Sequence, residues 1–136
     1  EFVADIGEKF GEVSGGGDLR SKIVYGLELF DRYEKILAEY LKEGLNELDN
    51  LKVYAPGKDQ PRTSTVSFAH RRRDAREVAE YLAEKGLFVW DGDFYATRIV
   101  ERLGLEERGG LVRIGISPYN TEEETKRLLK AVKSLQ

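Results

Sequence analysis

The residue best equipped for chemistry in this sequence is an arginine with open space and a turn beside it. In L-V-R-I-G-I-S-P-Y-N-T-E-E-E, Leu111 to Glu124, Arg113 alternates with Val112, Ile114 and Ile116. That is the period-two pattern of a strand with one dry face. Arg113 therefore points away from the apolar face, and Gly115 leaves room next to it. Pro118 ends the strand, and Thr121 with Glu124 three residues later is a capping-box signature for a helix. A guanidinium with space around it, close to a helix N-terminus, can receive a carboxylate or a phosphate. The competing reading is a strand arginine in an ordinary surface ion pair.

Other chemistry-bearing residues are few. His70, Arg71, Arg72, Arg73 and Arg76 make the most basic cluster, able to grip phosphate or an acidic partner. Asp74 and Glu77 sit among them, so a solvated loop beside an acidic helix accounts for the same residues. Gly15, Gly16 and Gly17 lack the spacing of a phosphate-binding loop and follow no strand, which leaves them as a flexible linker. The chain has no cysteine and one histidine. It can therefore build no disulfide, thiolate zinc site or cysteine nucleophile, and a histidine-based triad or metal centre is disfavoured.

With 136 residues, 40% hydrophobic and 35% charged, the chain suits one domain with a heavily charged surface. Its formal net charge of -3 argues against a dedicated nucleic-acid binder. No apolar run approaches the ~20 residues that span a bilayer, and a cytoplasmic setting is expected. The sequence contains no methionine and opens directly on apolar residues at helical spacing, Phe2, Val3, Ile6 and Phe10. It reads as a segment of something larger, with residues 1–17 as the remnant of an interdomain helix plus a glycine-rich linker.

The elements that would position Arg113 follow from pattern. Asp18 caps a long helix carrying Leu27, Phe30, Leu37, Leu41, Leu45 and Leu48 on one stripe. Strands are expected over Leu51 to Ala55 and Thr63 to Ala69, joined by a turn at P-G-K-D-Q-P. Asp74 and Glu77 open a helix that Gly86 closes at the C′ position. A third strand is expected over Leu87 to Trp90. A helix capped by Asp93 comes next, with Ile99, Val100 and Leu103 inward, ending at Gly104. After the Gly109-Gly110 turn comes the Arg113 strand, then a final helix from Glu122 to about Leu135 packed through Leu128, Leu129, Val132 and Leu135. This order predicts an α+β fold, a small, mostly antiparallel sheet of about four strands with helices packed on one face. The other face carries Thr65, Ser67, Arg113 and Ser117.

Several stretches resemble the C-terminal small domain of class V aminotransferases, and most of all their cysteine desulfurase-like branch. They are G-L-F-V-W-D-G-D-F-Y-A (Gly86 to Ala96), E-R-L-G-L-E-E (Glu101 to Glu107) and V-R-I-G-I-S-P-Y-N-T-E-E-E (Val112 to Glu124). R-T-S-T-V-S-F (Arg62 to Phe68) and the long helix before it agree with the same family.

The resemblance implies an incomplete pyridoxal phosphate enzyme of fold type I. Cofactor and Schiff-base lysine belong to a large upstream domain, which becomes the expected partner, and this chain alone is expected to be inactive. Arg113 matches the arginine that holds the carboxylate of an amino-acid-like substrate. Tyr119 and Asn120 of the same motif are expected to shape the turn. Tyr95 stands where desulfurases carry their sulfur-accepting cysteine. A phenol does not replace a thiolate in persulfide chemistry, so an aminotransferase, lyase or epimerase is implied. A free-standing or engineered interaction module using the polar sheet face or the arginine loop is the alternative. Surfaces that the large domain would cover also make self-association an expectation.

Overall fold

Among the residues described by the computed structural model (1–11, 17–57 and 60–135), four short strands form one antiparallel sheet. They are β1 (Leu51–Tyr54), β2 (Thr65–His70), β3 (Trp90–Gly92) and β4 (Leu111–Gly115), lying side by side in the order β1-β2-β4-β3. Val66 and Phe68 of β2 alternate with Thr65 and Ser67, and Val112 and Ile114 of β4 alternate with Arg113. The apolar set faces three helices: α2 (Leu19–Asn46), α3 (Ala75–Glu84) and α5 (Glu122–Lys133). Leu37, Leu41, Leu45, Val78, Leu82, Leu128 and Val132 meet Val66, Phe68, Val112 and Ile114 in one core. The expected α+β architecture is the observed one.

Among the described residues there are two further short helices, α1 (Phe2–Phe10) and α4 (Thr97–Leu103). Between α4 and β4 lies a short 3-10 turn, Glu106–Arg108. Val100, Leu105 and Leu111 form a second, smaller apolar cluster, against which Tyr54, Ala69, Phe94 and Leu103 pack. This cluster covers one end of the sheet face that α2, α3 and α5 leave open. Of the expected glycine linker, Gly15 and Gly16 lie outside the described residues, as do Lys58 and Asp59 of the P-G-K-D-Q-P turn.

The stripe on α2 is only half a core stripe. Leu37, Leu41 and Leu45 are buried, but Leu27 is exposed and Phe30 stacks on Phe2 with ring centroids 6.1 Å apart. The first half of α2 runs clear of the sheet and carries α1 instead. That contact is nearly backbone to backbone. A Cβ on Gly26 would stand 2.2 Å from the Val3 carbonyl oxygen, and one on Gly7 would stand 1.8 Å from the Lys22 carbonyl oxygen.

The third strand starts later than its sequence suggests, at Trp90 instead of Leu87. The end of α3 takes up the first residue of the expected strand. Gly86, at φ +69°, lets its N–H reach the Ala83 carbonyl and the Leu87 N–H reach the Leu82 carbonyl. This Schellman closure engages the Leu87 N–H, which then has none to give a ladder. Ile99 of α4, expected inward, is exposed, because the seven-residue helix presents only Val100 and Leu103 to the small cluster. Among the described residues no helix is long and apolar enough to cross a membrane.

Candidate functional site

Strand pairing sets Arg113 in a row across the open face of the sheet. Tyr54 pairs with Ser67, Ser67 with Arg113, and Arg113 with Trp90. Directly paired residues share a face, so the row reads Tyr54, Ser67, Arg113, Trp90. Gly115 pairs with Thr65 one step further along. A Cβ on Gly115 would meet nothing within 4 Å. No neighbour within the fold requires glycine there, and the space beside Arg113 is open. A groove of about 370 Å³ between residues 86–89 and 114–120 takes Gly115 and Ile116 into its wall.

The Arg113 side chain is exposed, and it makes no hydrogen bond or ion pair among the described residues. Its guanidinium carbon lies 4.2 Å from the centroid of the Phe94 ring, a cation–π arrangement. The surface ion pair that competed as a reading of this residue is therefore not what holds it. Trp90, 68% exposed, stands beside it on the edge strand.

The D-G-D-F-Y-A turn places Phe94. Asp93, expected as a helix N-cap, acts one turn earlier, since the N-cap position is taken by Ala96. Its carboxylate accepts the Tyr95 N–H at 3.1 Å and the Thr97 hydroxyl at 2.7 Å. The Thr97 hydroxyl, and after it the Tyr95 amide, hold this carboxyl below the ordinary aspartate range. Phe94 and Tyr95 sit at φ +54° and +62°, a left-handed geometry that costs non-glycine residues on the order of 1 kcal/mol or more each. One aromatic ring is thereby turned toward Arg113, and the other, Tyr95, is fully exposed. Periodicity could not have found Phe94. The signal was the Asp93 turn chemistry, read as a helix cap.

The N-terminus of α5, expected close to Arg113, is occupied by its own side chains. Thr121 Oγ1 accepts the Glu124 N–H at 3.2 Å, and the Glu124 carboxylate accepts the Thr121 N–H at 2.9 Å. The capping box is the one the sequence predicts. With Glu122, Glu123 and Glu124 in the first turn of α5, it leaves that end closed and negative. The Asn120 side chain acts locally, while its backbone ties the turn to α2. Its side-chain oxygen accepts the Ser117 N–H at 2.9 Å, and its carbonyl accepts the Tyr33 hydroxyl at 2.7 Å.

The basic cluster divides. His70, expected among its exposed members, is only 3% exposed. Its Nδ1 accepts the Arg72 and Arg73 N–H groups at 3.1 and 3.0 Å, so it fastens the arginine turn from beneath. Burial holds its pKa below 6.5, and Arg73, Arg108 and Arg72 push the same way against the opposing Leu135 carbonyl. Arg108 donates to the Arg71 and Arg73 carbonyls, and Arg76 pairs with Glu80. Among the described residues no group of acidic, histidine or cysteine side chains could hold a metal ion.

Residues 21–128 match the sequence profile of the family described as Aminotransferase class-V. The chain belongs to the class-V aminotransferase family. Relatives include a cysteine desulfurase of Haloferax volcanii, 30% identical over 107 residues, which are 79% of this chain and 24% of that protein. An uncharacterized protein of Mycobacterium tuberculosis, MT3887, is 27% identical over 99% of this chain and 32% of its own length. Among solved structures, the apo cysteine desulfurase of Thermococcus onnurineus NA1 superposes with a TM-score of 0.74 at 29% identity. That match covers 86% of this chain and 29% of that one. The Escherichia coli cysteine desulfurase CsdA shares the fold at 21% identity, with a TM-score of 0.65 over 88% of this chain and 31% of its own. The chain thus spans about a third or less of the length of these relatives.

Enzymes of this family work with pyridoxal phosphate. The N-terminus of α5 is closed by its own side chains, and the lysine on the β1 part of the open face, Lys52, lies over the Tyr54 ring.

Proposed function

We propose that this chain is the C-terminal small domain of a pyridoxal phosphate-dependent class-V enzyme, and that Arg113 holds the α-carboxylate of its amino-acid-like substrate. The observation carrying this reading is the state of Arg113. It is an exposed guanidinium without an anionic partner among the described residues, on the sheet face that the long helices leave open. A planar guanidinium offers a carboxylate two parallel N–H bonds, fixing the substrate's orientation as well as its charge. Cofactor and Schiff-base lysine are assigned to a large upstream domain, which is the partner of the open face. The chain alone then binds carboxylates without turnover, in a cytoplasmic setting.

The sequence has no cysteine, and the family resemblance sets Tyr95 where desulfurases carry theirs. The reaction proposed for the whole enzyme is accordingly transamination, elimination or epimerisation, all of which begin with an amino acid held by its carboxylate.

Trp90 is the single tryptophan and the direct cross-strand partner of Arg113, which makes its emission a local reporter. L-Alanine titrated into the chain should change that emission saturably, and Arg113→Gln should abolish the change. Pyridoxal phosphate added to the chain should show no aldimine absorbance. Covalent cofactor attachment to a lysine of the isolated chain would sink the assignment.

A further inference from the structure

Arg113 presents a problem that its own strand does not solve. A long side chain on an open sheet face samples many rotamers, and ordering it costs up to about 2 kcal/mol in a binding event. A carboxylate neighbour would hold it but would also occupy the N–H edge a ligand needs. The acid of the adjacent turn, Asp93, is engaged with the Tyr95 amide and the Thr97 hydroxyl.

What lies against the guanidinium is the Phe94 ring, 4.2 Å away. A ring face restrains a guanidinium through its π cloud and leaves the in-plane N–H groups unoccupied. The ring is itself backed by the small cluster of Val100, Leu105 and Leu111. The turn that delivers it holds two consecutive aromatic residues at positive φ, a conformation retained only where the surroundings over-determine it. Asp93 supplies that determination.

We propose that Phe94 is a positioning residue for Arg113. It holds the guanidinium in its receiving orientation without neutralising it, and Asp93 sets the turn that brings the ring there. The inference rests on the carboxylate-binding reading of Arg113 and is tested so that the two can fail separately.

In the intact chain, the Arg113 δ-proton resonances should be shifted upfield by the ring. That shift should vanish in Phe94→Leu and persist in Phe94→Tyr. L-Alanine affinity, read from Trp90 emission, should fall roughly two- to fivefold in Phe94→Leu, the range for an exposed cation–π contact, and stay near wild type in Phe94→Tyr. Asp93→Ala frees the turn with both partners in place and should reproduce the losses. It keeps the test alive should Phe94→Leu not fold. An unshifted Arg113 resonance, or equal L-alanine affinity in wild type, Phe94→Leu and Asp93→Ala, overturns the positioning role and leaves the Arg113 reading standing. Unchanged binding in Arg113→Gln overturns that reading and this inference with it.

Discussion

Trp90 and Arg113 are direct partners across the β3–β4 ladder, on the sheet face that α2, α3 and α5 leave open. The indole is therefore a wall of the space in front of the guanidinium as well as its reporter. Arg113→Lys keeps the charge but replaces a two-point fork with a single ammonium. L-Alanine affinity should fall about threefold or more, and raising the salt concentration should weaken the lysine variant and wild type alike. Titrations followed by Trp90 emission at low and high salt measure both effects.

The α1–α2 contact should be unusually sensitive to one methyl group. Gly26→Ala places a Cβ 2.2 Å from the Val3 carbonyl oxygen, which is backbone and cannot swing aside. α1 should detach while the sheet core stays folded, at a cost of roughly 1–3 kcal/mol to that contact. Hydrogen exchange should show lost protection confined to α1 and the first half of α2. Protection lost throughout the sheet would contradict this separation.

The Schellman closure of α3 depends on Gly86. No atom stands closer than 3.9 Å to a Cβ there, so Gly86→Ala meets no steric obstacle, only the strain of φ +69°. The expected loss is about 1 kcal/mol, read as a lower denaturation midpoint with an unchanged denaturant slope.

His70 predicts a pH dependence of stability. Its folded pKa lies below the unfolded value of 6.5, so in that window the unfolded chain binds the extra proton. The His70 contribution is complete above pH 6.5 and is lost as the pH falls from there through the folded pKa. His70→Ala strips the Arg72 and Arg73 amides of their acceptor, costing about 1–3 kcal/mol at neutral pH. It should also flatten the acid-side slope. Denaturation curves across that range for wild type and variant separate this slope from the carboxylates, which titrate lower. Equal slopes would remove His70 from the account.

Aromatic side chains at Phe2, Phe88, Trp90, Tyr95 and Tyr119 are exposed. Exposed apolar surface of this kind favours association. Sedimentation at rising concentration should show reversible self-association, which Phe88→Ser combined with Tyr119→Ser should reduce.

Patterns carried by neighbours in sequence were legible without a structure. The capping boxes at Asp74 and Thr121, the glycine closure at Gly86 and the alternation through β2 and β4 rest on hydrogen bonds and faces within a few residues. Local chemistry determines them, and with them the α+β class and the outward aim of Arg113. Tertiary structure decided the rest, because those outcomes depend on which distant residue arrives. Leu27 lost its place in the core because α2 outruns the sheet, and His70 was buried beneath a turn that reads as solvent-exposed. Arg113 met an aromatic ring in place of a carboxylate, through a left-handed turn that hydrophobic periodicity does not encode.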